Sequence, residues 1–514
     1  MNGAQAVIRT LVDGGVDVCF ANPGTSEMHF VAALDDVPEM RAVLTLFEGV
    51  ATGAADGYAR MTGSPAATLL HLGPGLGNGI ANLHNARRAR TPLVNVVGDH
   101  ALTHKGLDAP LESDIDALAG TVSGWVRRSL ATSQVGADTA DAIAAAREWP
   151  GQVATLVLPA DVSWTEGGSV SLPRGPRSAP RVPDSEVEVI AGLLGPSTML
   201  FLGGDAVLEP GLRAAAQVAA GTGTRLLSQR SPARMQRGAG LPDVLKLPYP
   251  PEGARKQLDG VQHLVLVGAA EPVAFFGYPG MDGRLVPEGC TVHVLTTPGE
   301  DGVAALQALA QLAAPDAVPQ LAEARRPDLP TGELDIQAMA EVVGALLPER
   351  AIVVDEALTS GYFLPMATVG APAHDWLTLT GGAIGQGMPV AVGAAVACPD
   401  RPVISLQADG SAMYTIQALW TQAREGLDVT TVICDNSAYA ILAGELESVG
   451  AASGGERAGK LLDLGGPALD FVALATGMGV PATRARTAEE LAEQFRAALT
   501  EPGPHLIDAV LPRS

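Results

Sequence analysis

The sequence predicts an α/β protein of three domains, each a mostly parallel sheet flanked by helices. Short runs of Val, Ile and Leu recur along its 514 residues without strict alternation, and Ala- and Gly-rich helical runs separate them. This pattern is typical of parallel strands that are covered on both faces. At roughly 150 residues per domain, the length suggests about three domains. Apolar residues make up 47% of the chain and charged residues 17%, so a sizeable core can form and disorder of the whole chain is excluded.

Two stretches rich in Pro, Arg and small residues interrupt this pattern, at 167–183 and at about 314–333. Both are typical of linkers, and they divide the chain into the ranges 1–166, 184–313 and 334–514. The predicted strands are VDVCFANPG, PAATLLHLG, TPLVNVVGD and VATLVLP in the first range, STMLFLGG, TRLLS, VQHLVLVG and CTVHVLT in the second, and AIVVDEA, RPVISLQAD, VTTVICDNS and HLIDAVL in the third. The two outer ranges echo each other, since both contain a small-residue helix, a turn and an apolar strand in that order. The echo suggests two copies of one architecture, although close packing alone could also produce it.

Charge and cysteine content narrow the class of protein. The chain has 33 Lys and Arg against 56 Asp and Glu, a net charge of −23, which disfavours binding to nucleic acid or to an anionic membrane surface. No uninterrupted apolar stretch reaches the ~18 residues needed to span a bilayer, and the N-terminus lacks the apolar core of a signal peptide. The four cysteines lie apart without a CxxC pair, which is typical of reduced, buried thiols. We therefore expect a soluble, cytoplasmic protein that binds neither nucleic acid nor a membrane.

The strongest chemical signal lies at the ends of two strands in the last range. Asp409-Gly410-Ser411 follows RPVISLQA, and Asn436 follows VTTVICD 27 residues later (436 − 409), with the predicted helix AMYTIQALWTQAREG between them. This spacing places both side chains at the carboxyl ends of adjacent parallel strands, where open α/β sheets bind ligands. Their oxygens suit Mg²⁺, and the free N–H groups of a helix opened by Gly410, Ser411 and Ala412 favour an anion. A lone Asp-Gly is usually only a turn, but two such turns at this spacing predict a Mg²⁺-bridged diphosphate site.

These residues resemble the GDG…NN motif of thiamin diphosphate (ThDP) enzymes. The resemblance covers the whole chain, in the domain order of the acetolactate synthase, benzoylformate decarboxylase and pyruvate oxidase group. It implies the ThDP-binding fold, with an N-terminal pyrimidine-binding domain, a central α/β domain and a C-terminal domain that binds diphosphate and Mg²⁺. Ala408 and Asp435 replace the first Gly and the first Asn of the motif, but neither position supplies a side-chain metal ligand in the family.

The resemblance also implies roles for individual residues of the last range. Mg²⁺ would be bound by the side chains of Asp409 and Asn436 and by the carbonyl of Ala438, and the diphosphate would lie near Gly410, Ser411, Ala412 and Tyr439. In the segment 380–389, the Gly382 carbonyl would accept a hydrogen bond from the 4′-amino group of the cofactor. The Ile384 side chain would lie under the cofactor and hold it in its V-shaped conformation. Without the resemblance, a Gly-rich segment of this kind is only a loop or a close-packed turn.

Glu48 lies in LTLFEGVATGAADGYAR, just before a small-residue helix. By itself it is a charge that is favourable at a helix N-terminus. The resemblance implies instead that Glu48 hydrogen-bonds N1′ of the aminopyrimidine and so helps to activate the thiazolium. In the family this glutamate faces cofactor held by the C-terminal domain of another subunit. A homodimer or homotetramer with active sites at the subunit interface is therefore implied.

Residues expected near the substrate match the family only in part. His71 falls where benzoylformate decarboxylase has a catalytic histidine, and Thr25 falls where it has an active-site serine. Without the resemblance, His71 would be interpreted as a core histidine; with it, His71 is a candidate proton donor or acceptor. The second histidine of that enzyme falls in AAEPVAFFGYPG, which offers only Phe275 and Phe276.

Other positions bear on acetolactate synthase, on metals and on flavin. Pro110-Leu111 stands where acetolactate synthase has Phe-Gln, so a substrate-contacting amide is missing. His100 and His104 could suggest zinc by their i, i+4 spacing, but no third ligand accompanies them, and one of them could instead line the pocket. The central range has no G-x-G-x-x-G that opens a helix, so FAD is not expected there.

The sequence therefore predicts a ThDP- and Mg²⁺-dependent enzyme that decarboxylates a small 2-oxo acid, with carboligation as a further step, similar to acetolactate synthase. An enzyme similar to benzoylformate decarboxylase, acting on an aryl 2-oxo acid, is the alternative. A non-catalytic ThDP-binding scaffold or regulatory paralogue is an alternative from another class, and a flavin or nicotinamide dehydrogenase is a third. The sequence does not select the donor acid or the acceptor.

Overall fold

The computed structural model describes residues 1–451 and 455–513, and it has three sheets flanked by helices. The predicted α/β fold is confirmed, and each predicted strand is present. Among these described residues, no helix is both long enough and apolar enough to cross a bilayer. Cys19 and Cys434 are free thiols in the core, whereas Cys290 and Cys398 are free but only half-buried.

The first sheet is built by the N-terminal region. Its strands are β1 (Val18–Asn22), β2 (Arg41–Leu44), β3 (Ala66–Leu70), β4 (Leu93–Asp99), β5 (Trp125–Arg128) and β6 (Val153–Pro159). The helices are α1 (Gly3–Asp13), α2 (Met28–Ala33), α3 (Glu48–Thr62), α4 (Leu72–Ala89), α5 (Ile115–Gly120), α6 (Val135–Ala146) and α7 (Ala160–Trp164). All six strands are parallel, in the order β2-β1-β3-β4-β6-β5. Strands β3, β4 and β6 are buried along their whole length, so helices cover both faces of the sheet.

The second sheet belongs to the central region. The elements of this region are α8 (Asp184–Ala191), β7 (Thr198–Leu202), α9 (Glu209–Thr222), β8 (Arg225–Ser228), β9 (Met235–Arg237), α10 (Pro251–Leu258), β10 (His263–Val267), β11 (Thr291–Thr296) and α11 (Gly302–Ala313). Four of its strands form a parallel sheet in the order β11-β10-β7-β8.

The third sheet is the largest. Its strands from the C-terminal region are β12 (Ile352–Glu356), β13 (His374–Thr378), β14 (Val403–Ala408), β15 (Val429–Asp435), β16 (Ala482–Ala485) and β17 (His505–Val510). The helices are α12 (Ile336–Leu346), α13 (Leu364–Ala367), α14 (Gly387–Ala397), α15 (Asp409–Ala412), α16 (Ala418–Glu425), α17 (Ala440–Ser448), α18 (Glu456–Leu462), α19 (Phe471–Gly477) and α20 (Ala488–Ala498). The order is β16-β17-β15-β14-β12-β13-β9.

Strand β9 crosses between regions, because it comes from the central part of the chain and pairs antiparallel with β13 in the third sheet. The sequence gives no sign of this pairing, since Met-Gln-Arg is short and mostly polar. The division of the chain at 1–166, 184–313 and 334–514 stays a prediction.

Helices α3 and α14 pack against each other and join the first and third sheets. A side chain on Gly393 of α14 would collide with the backbone of Ala54 in α3, and one on Gly57 would collide with the backbone of Val390. Small residues therefore let the two backbones approach closely. One apolar core runs through both regions as a result. The small-residue helices that echo each other in the sequence are these two packed helices.

Candidate functional site

The ends of β14 and β15 bring Asp409 and Asn436 together. These strands pair in parallel with Ala408 opposite Cys434, so the two side chains follow adjacent strand ends. Both residues are buried. The spacing of 27 residues thus corresponds to one strand–helix–strand step, as the sequence predicted.

The carboxylate of Asp409 is only half satisfied by the protein. It is 2% exposed, and its Oδ1 accepts the N–H of Gly410 at 2.7 Å. Its Oδ2 is buried and accepts no hydrogen bond within 1–451 and 455–513. Burial raises the pKa of Asp409 to about 6, with a smaller contribution from the negative charge of Asp435. A buried carboxylate oxygen without a donor is costly, and a cation would satisfy it.

The turn after β15 has the shape to supply further oxygen ligands. Ser437 has a left-handed φ of 54°, and the Asp435 carboxylate stabilises it by accepting from the Ser437 N–H at 2.9 Å and hydroxyl at 3.0 Å. The Asn436 amide oxygen accepts the N–H of Ala438 at 3.1 Å. Asp435, which departs from the family motif, therefore stabilises the turn. One carboxylate, one amide oxygen and one backbone carbonyl suit Mg²⁺.

Gly410, Ser411 and Ala412 are buried beside this pair, and the Ser411 hydroxyl has no hydrogen-bond partner among the described residues. Tyr439 lies against Gly410 so closely that any side chain at 410 would collide with its ring. The predicted position of Tyr439 near the diphosphate stays a prediction.

The predicted helix AMYTIQALWTQAREG is wrong in part. Helix α15 ends at Ala412 and α16 begins at Ala418. The chain between them packs on Gly385, whose carbonyl accepts the Thr415 hydroxyl at 2.9 Å. A single helical turn, Asp409–Ala412, therefore stands where the N-terminus of a long helix was predicted, and the anion site at Gly410, Ser411 and Ala412 stays a prediction.

The loop 380–387 is held in place by hydrogen bonds to other parts of the chain. Helix α4 approaches it and binds alternate carbonyls: Asn85 Nδ2 donates to Ala383 O at 2.8 Å, His84 Nε2 to Gly381 O at 3.1 Å and Asn82 Nδ2 to Gly385 O at 3.2 Å. The Gly382 carbonyl lies between them and accepts no hydrogen bond from any described residue. Gly382 and Gly385 have φ of 78° and 89°, a conformation that favours glycine. The half-buried Ile384 lies between these two glycines.

Glu48 is the first residue of α3 and is buried. Its Oε2 accepts the amide of Asn78 at 3.0 Å. Asn82 Nδ2 donates to the carbonyl of Gly49, the neighbour of Glu48, at 2.8 Å, and also to the carbonyl of the loop residue Gly385. No hydrogen bond within 1–451 and 455–513 links Glu48 to Asp409 or Asn436. The assignment of Glu48 to a neighbouring subunit's cofactor stays a prediction.

His71 lies near Glu48, with Gly75 between them. Its Nδ1 is 2.8 Å from Glu27 Oε2 and 3.2 Å from the Ser26 hydroxyl, and the same Glu27 oxygen accepts the N–H of Gly24 at 2.8 Å. Glu27 is almost completely buried. A carboxylate in this position fixes the imidazole, and Nε2 forms no hydrogen bond with any residue that the structure describes.

Glu27 was not among the predicted site residues, although it lies only two residues after Thr25, which was. The available signal was the spacing of Gly24 and Glu27, at which a glutamate side chain reaches back to a backbone N–H. Thr25 is exposed at the start of this turn, and no hydrogen bond of its side chain is found in the described part of the chain. The substrate contact predicted for Thr25 stays a prediction.

Aromatic residues of the central region lie against the loop. A Cβ on Gly382 would be 2.7 Å from Phe275 Cζ. The Phe275 ring lies 5.0 Å from that of Phe276 and 5.5 Å from that of Tyr249, centroid to centroid. Both phenylalanines are exposed. This side of the loop is therefore apolar and accessible.

The remaining candidates are two histidines that follow β4, and the pair Pro110-Leu111. The rings of His100 and His104 are 5.3 Å apart, and within 1–451 and 455–513 no group of three or more His, Cys, Asp or Glu side chains could hold a metal. Zinc at these histidines has no support. Pro110 and Leu111 are exposed.

Comparisons with known proteins agree with this geometry. Residues 1–119 match the model for the thiamine pyrophosphate enzyme N-terminal TPP binding domain, and residues 363–509 match that for the C-terminal TPP binding domain. "Putative acetolactate synthase large subunit IlvX" of Mycobacterium tuberculosis is 64% identical over 518 residues, covering 100% of this chain and 99% of that protein. Benzoylformate decarboxylase of Pseudomonas aeruginosa is 32% identical over 531 residues, covering 96% of each chain.

Among solved structures, the ThDP-dependent 4-hydroxybenzoylformate decarboxylase of Rhodococcus jostii aligns over 100% of both chains, with a TM-score of 0.86 and 26% identity. The similarity thus extends over the complete length of the chain and includes both cofactor-binding domains. It follows that this chain belongs to the family of ThDP-dependent enzymes that contains the acetolactate synthases and benzoylformate decarboxylases.

Proposed function

We propose that this chain is a ThDP- and Mg²⁺-dependent enzyme that decarboxylates a small 2-oxo acid and then joins the remaining fragment to a second carbonyl compound, as an acetolactate synthase does. The observation that carries the proposal is the unsatisfied, buried Asp409 oxygen beside Asn436 at two adjacent strand ends. The 64% identity to a protein named as an acetolactate synthase large subunit supports carboligation.

The residues at the strand ends fit the cofactor. Asp409, Asn436 and Ala438 would hold Mg²⁺, and the buried Ser411 hydroxyl would bind diphosphate. The free Gly382 carbonyl would accept from the amino group of the pyrimidine, and Glu48 would hold a proton at the pyrimidine ring. When bound, ThDP supplies a nucleophilic carbon and takes up the electron pair that is released as CO₂ leaves.

His71 would move a proton on the substrate. With Nδ1 engaged by Glu27, its Nε2 faces away from the carboxylate and can donate to or accept from a bound oxygen. The apolar Phe275 beside Gly382 can neither donate nor accept a proton. One titratable imidazole, rather than two, would therefore serve the reaction.

The direct test is incubation of the protein with ThDP, Mg²⁺ and a panel of 2-oxo acids, with CO₂ and carbonyl products followed by mass spectrometry. Pyruvate giving CO₂ and a joined hydroxy-oxo acid would support the proposal. The absence of ThDP uptake by calorimetry in the presence of Mg²⁺ would overturn it.

Decarboxylation of an aryl 2-oxo acid is the second candidate. The paired Glu27 and His71 favour it, and so do the exposed rings of Phe275 and Phe276 beside the half-buried Tyr249. The overall similarity to a 4-hydroxybenzoylformate decarboxylase also favours it. An aryl aldehyde as the sole product in the same panel would select this candidate.

A non-catalytic ThDP-binding role makes a different prediction. Glu48→Gln should remove turnover and keep much of the ThDP affinity if the protein is an enzyme. A scaffold would bind ThDP and show no turnover in either form. Asn78→Leu, which removes the donor to Glu48 without adding a charge, separates loss of this hydrogen bond from loss of the acid.

We further propose a cytoplasmic homodimer or homotetramer without flavin. The strand-end glycines Gly203 and Gly268 of the central region pack against each other: a Cβ on Gly203 would lie 2.8 Å from Gly268 O, and one on Gly268 would lie 2.7 Å from Gly203 O. These small residues thus serve backbone packing, which supports a central domain without a dinucleotide. An absorbance spectrum of the purified protein tests for flavin, and sedimentation tests the assembly.

A further inference from the structure

Glu356 is a buried carboxylate that the sequence interpretation did not single out. It ends β12, lies opposite Gln407 of β14 and is 2% exposed. Its Oε1 accepts the N–H of Gly385 at 2.6 Å, and its Oε2 accepts the N–H of Gly387. Within 1–451 and 455–513, no basic side chain forms an ion pair with it. Burial raises the pKa of Glu356 to about 7, and the hydrogen bonds from Gly387 and Gly385 oppose this rise.

The two N–H groups bound by Glu356 lie two residues apart in the loop 380–387. Gly387 is the first residue of α14, so its N–H is one that the helix leaves without a partner. Gly385 has the left-handed φ that turns the loop into this helix. One rigid carboxylate therefore fixes the turn and caps the helix at once.

The opposite side of the same loop is bound by α4, which takes the carbonyls of Gly381, Ala383 and Gly385. Glu356 accepts hydrogen bonds from two N–H groups of the loop, whereas α4 mainly donates to its carbonyls and accepts one N–H, that of Ala383, through Asn85 Oδ1 at 3.3 Å. Gly382 and Ile384 lie between these anchors. Both Glu356 and α4 therefore hold the backbone on either side of Gly382 and Ile384.

A neutral acceptor could cap the helix at a lower cost of desolvation. A charged acceptor forms stronger hydrogen bonds and holds the geometry more rigidly. We propose that Glu356 is a positioning residue for the cofactor, which fixes the loop so that the Gly382 carbonyl and the Ile384 side chain are presented to the pyrimidine. The inference rests on the proposed function, because it assigns a cofactor to this loop.

Glu356→Gln is the test variant, because it keeps the shape and one acceptor but turns an amide NH₂ toward the second N–H. Asp508→Asn is the matched control. Asp508 is a fully buried carboxylate of β17 in the same sheet, and it binds Arg484 at 2.7 Å rather than the loop. Hydrogen exchange of peptides that cover 380–389 is measured without cofactor, and the Kd for ThDP is measured by calorimetry with Mg²⁺.

The expected result for Glu356→Gln is exchange in 380–389 that is about tenfold faster and a Kd for ThDP that is about tenfold higher. Glu356→Asp should fall between wild type and Glu356→Gln, since its shorter side chain reaches one N–H. Asp508→Asn should leave both quantities at their wild-type values. If Glu356→Gln does not fold, Glu356→Asp carries the same test.

Wild-type exchange and wild-type ThDP affinity in the folded variant would overturn the inference. Faster exchange with unchanged affinity would also overturn it, because the loop would then be held without positioning the cofactor. Failure of the wild-type protein to bind ThDP would instead refute the proposed function. The exchange measured without cofactor would still show whether Glu356 holds the loop.

Discussion

Two buried aspartates show how differently this chain treats a buried charge. Asp56 of α3 receives two hydrogen bonds from Arg60 at 2.9 and 2.6 Å, one from the Thr91 hydroxyl at 2.6 Å and one from the Gln386 amide at 2.7 Å. Asp409 receives one, from Gly410. The protein itself satisfies the first carboxylate and leaves an oxygen of the second for a ligand. Burial alone therefore does not mark a functional acid; at Asp409 the unsatisfied oxygen coincides with a second oxygen ligand, Asn436, at the adjacent strand end.

The network around Asp56 also joins regions that are distant in the chain. Arg60 donates to the carbonyl of Thr378 at 2.9 Å, to that of Ala233 at 3.2 Å and to the Thr380 hydroxyl at 3.0 Å. One ion pair in α3 thus contacts the central region, the end of β13 and the start of the 380–387 loop. Its role is to hold these regions together.

The largest effect that we expect is from Arg60→Ala. It leaves Asp56 charged and buried without its main partner, which should lower the free energy of unfolding by about 3–5 kcal/mol. Denaturant midpoints measure this. The control is Lys460→Ala, whose partner Glu456 is exposed, and it should change stability by less than about 0.5 kcal/mol. A loss of less than about 1 kcal/mol for Arg60→Ala would show that the network is not structural.

The second prediction is a substitution that raises the free energy of unfolding instead of lowering it. Asp409→Asn removes a charge that the metal-free protein buries without compensation, so it should raise the stability of that form at pH 7 by about 2 kcal/mol. It should also abolish Mg²⁺-dependent uptake of ThDP. The matched change, Asp56→Asn, should lower stability. If both variants are destabilised, the contrast between the two aspartates fails.

The pH dependence gives a third expectation. The pKa of Asp409 in the folded protein is about 6, above its value near 3.9 in an unfolded chain. Its contribution to the stability of the metal-free protein is therefore complete below about pH 4 and is lost as the pH rises through 6. Since a proton and Mg²⁺ compete for this carboxylate, metal affinity should fall about tenfold per pH unit below 6. Calorimetric titrations between pH 5 and 8 measure this, and a flat profile would contradict it.

The smallest expectation concerns Thr91→Val, which deletes one hydrogen bond to Asp56 and keeps the ion pair. Stability should fall by about 1–2 kcal/mol, with ThDP affinity unchanged. Thr500→Val is the control, because its exposed hydroxyl bonds only carbonyls of its own helix turn. A drop in ThDP affinity for Thr91→Val would show that the network also shapes the cofactor site.

The sequence predicts those features that depend on local pattern. Long apolar strands such as β4 and β6 are evident in it, and so is the spacing of Asp409 and Asn436, because a strand–helix–strand unit has a standard length. Short or polar strands such as β9 and β5 are not evident in the sequence, since they form only by pairing with strands from elsewhere in the chain. Glu27 was missed because its partner His71 is distant in the chain. Glu356 was missed because its partners are distant backbone N–H groups. The break after Ala412 comes from packing on Gly385, which no helix propensity reports.

The exchange of β9 between regions has a consequence for any attempt to dissect this protein. Its three residues close the flank of β13, and Arg237 stacks over the ring of Trp376. A fragment that starts at residue 334 would expose a row of unpaired backbone groups along β13, a surface on which foreign chains can assemble. The central region thus covers this sheet edge through β9 and so protects the C-terminal region from aggregation. The C-terminal region should therefore be produced together with the central region.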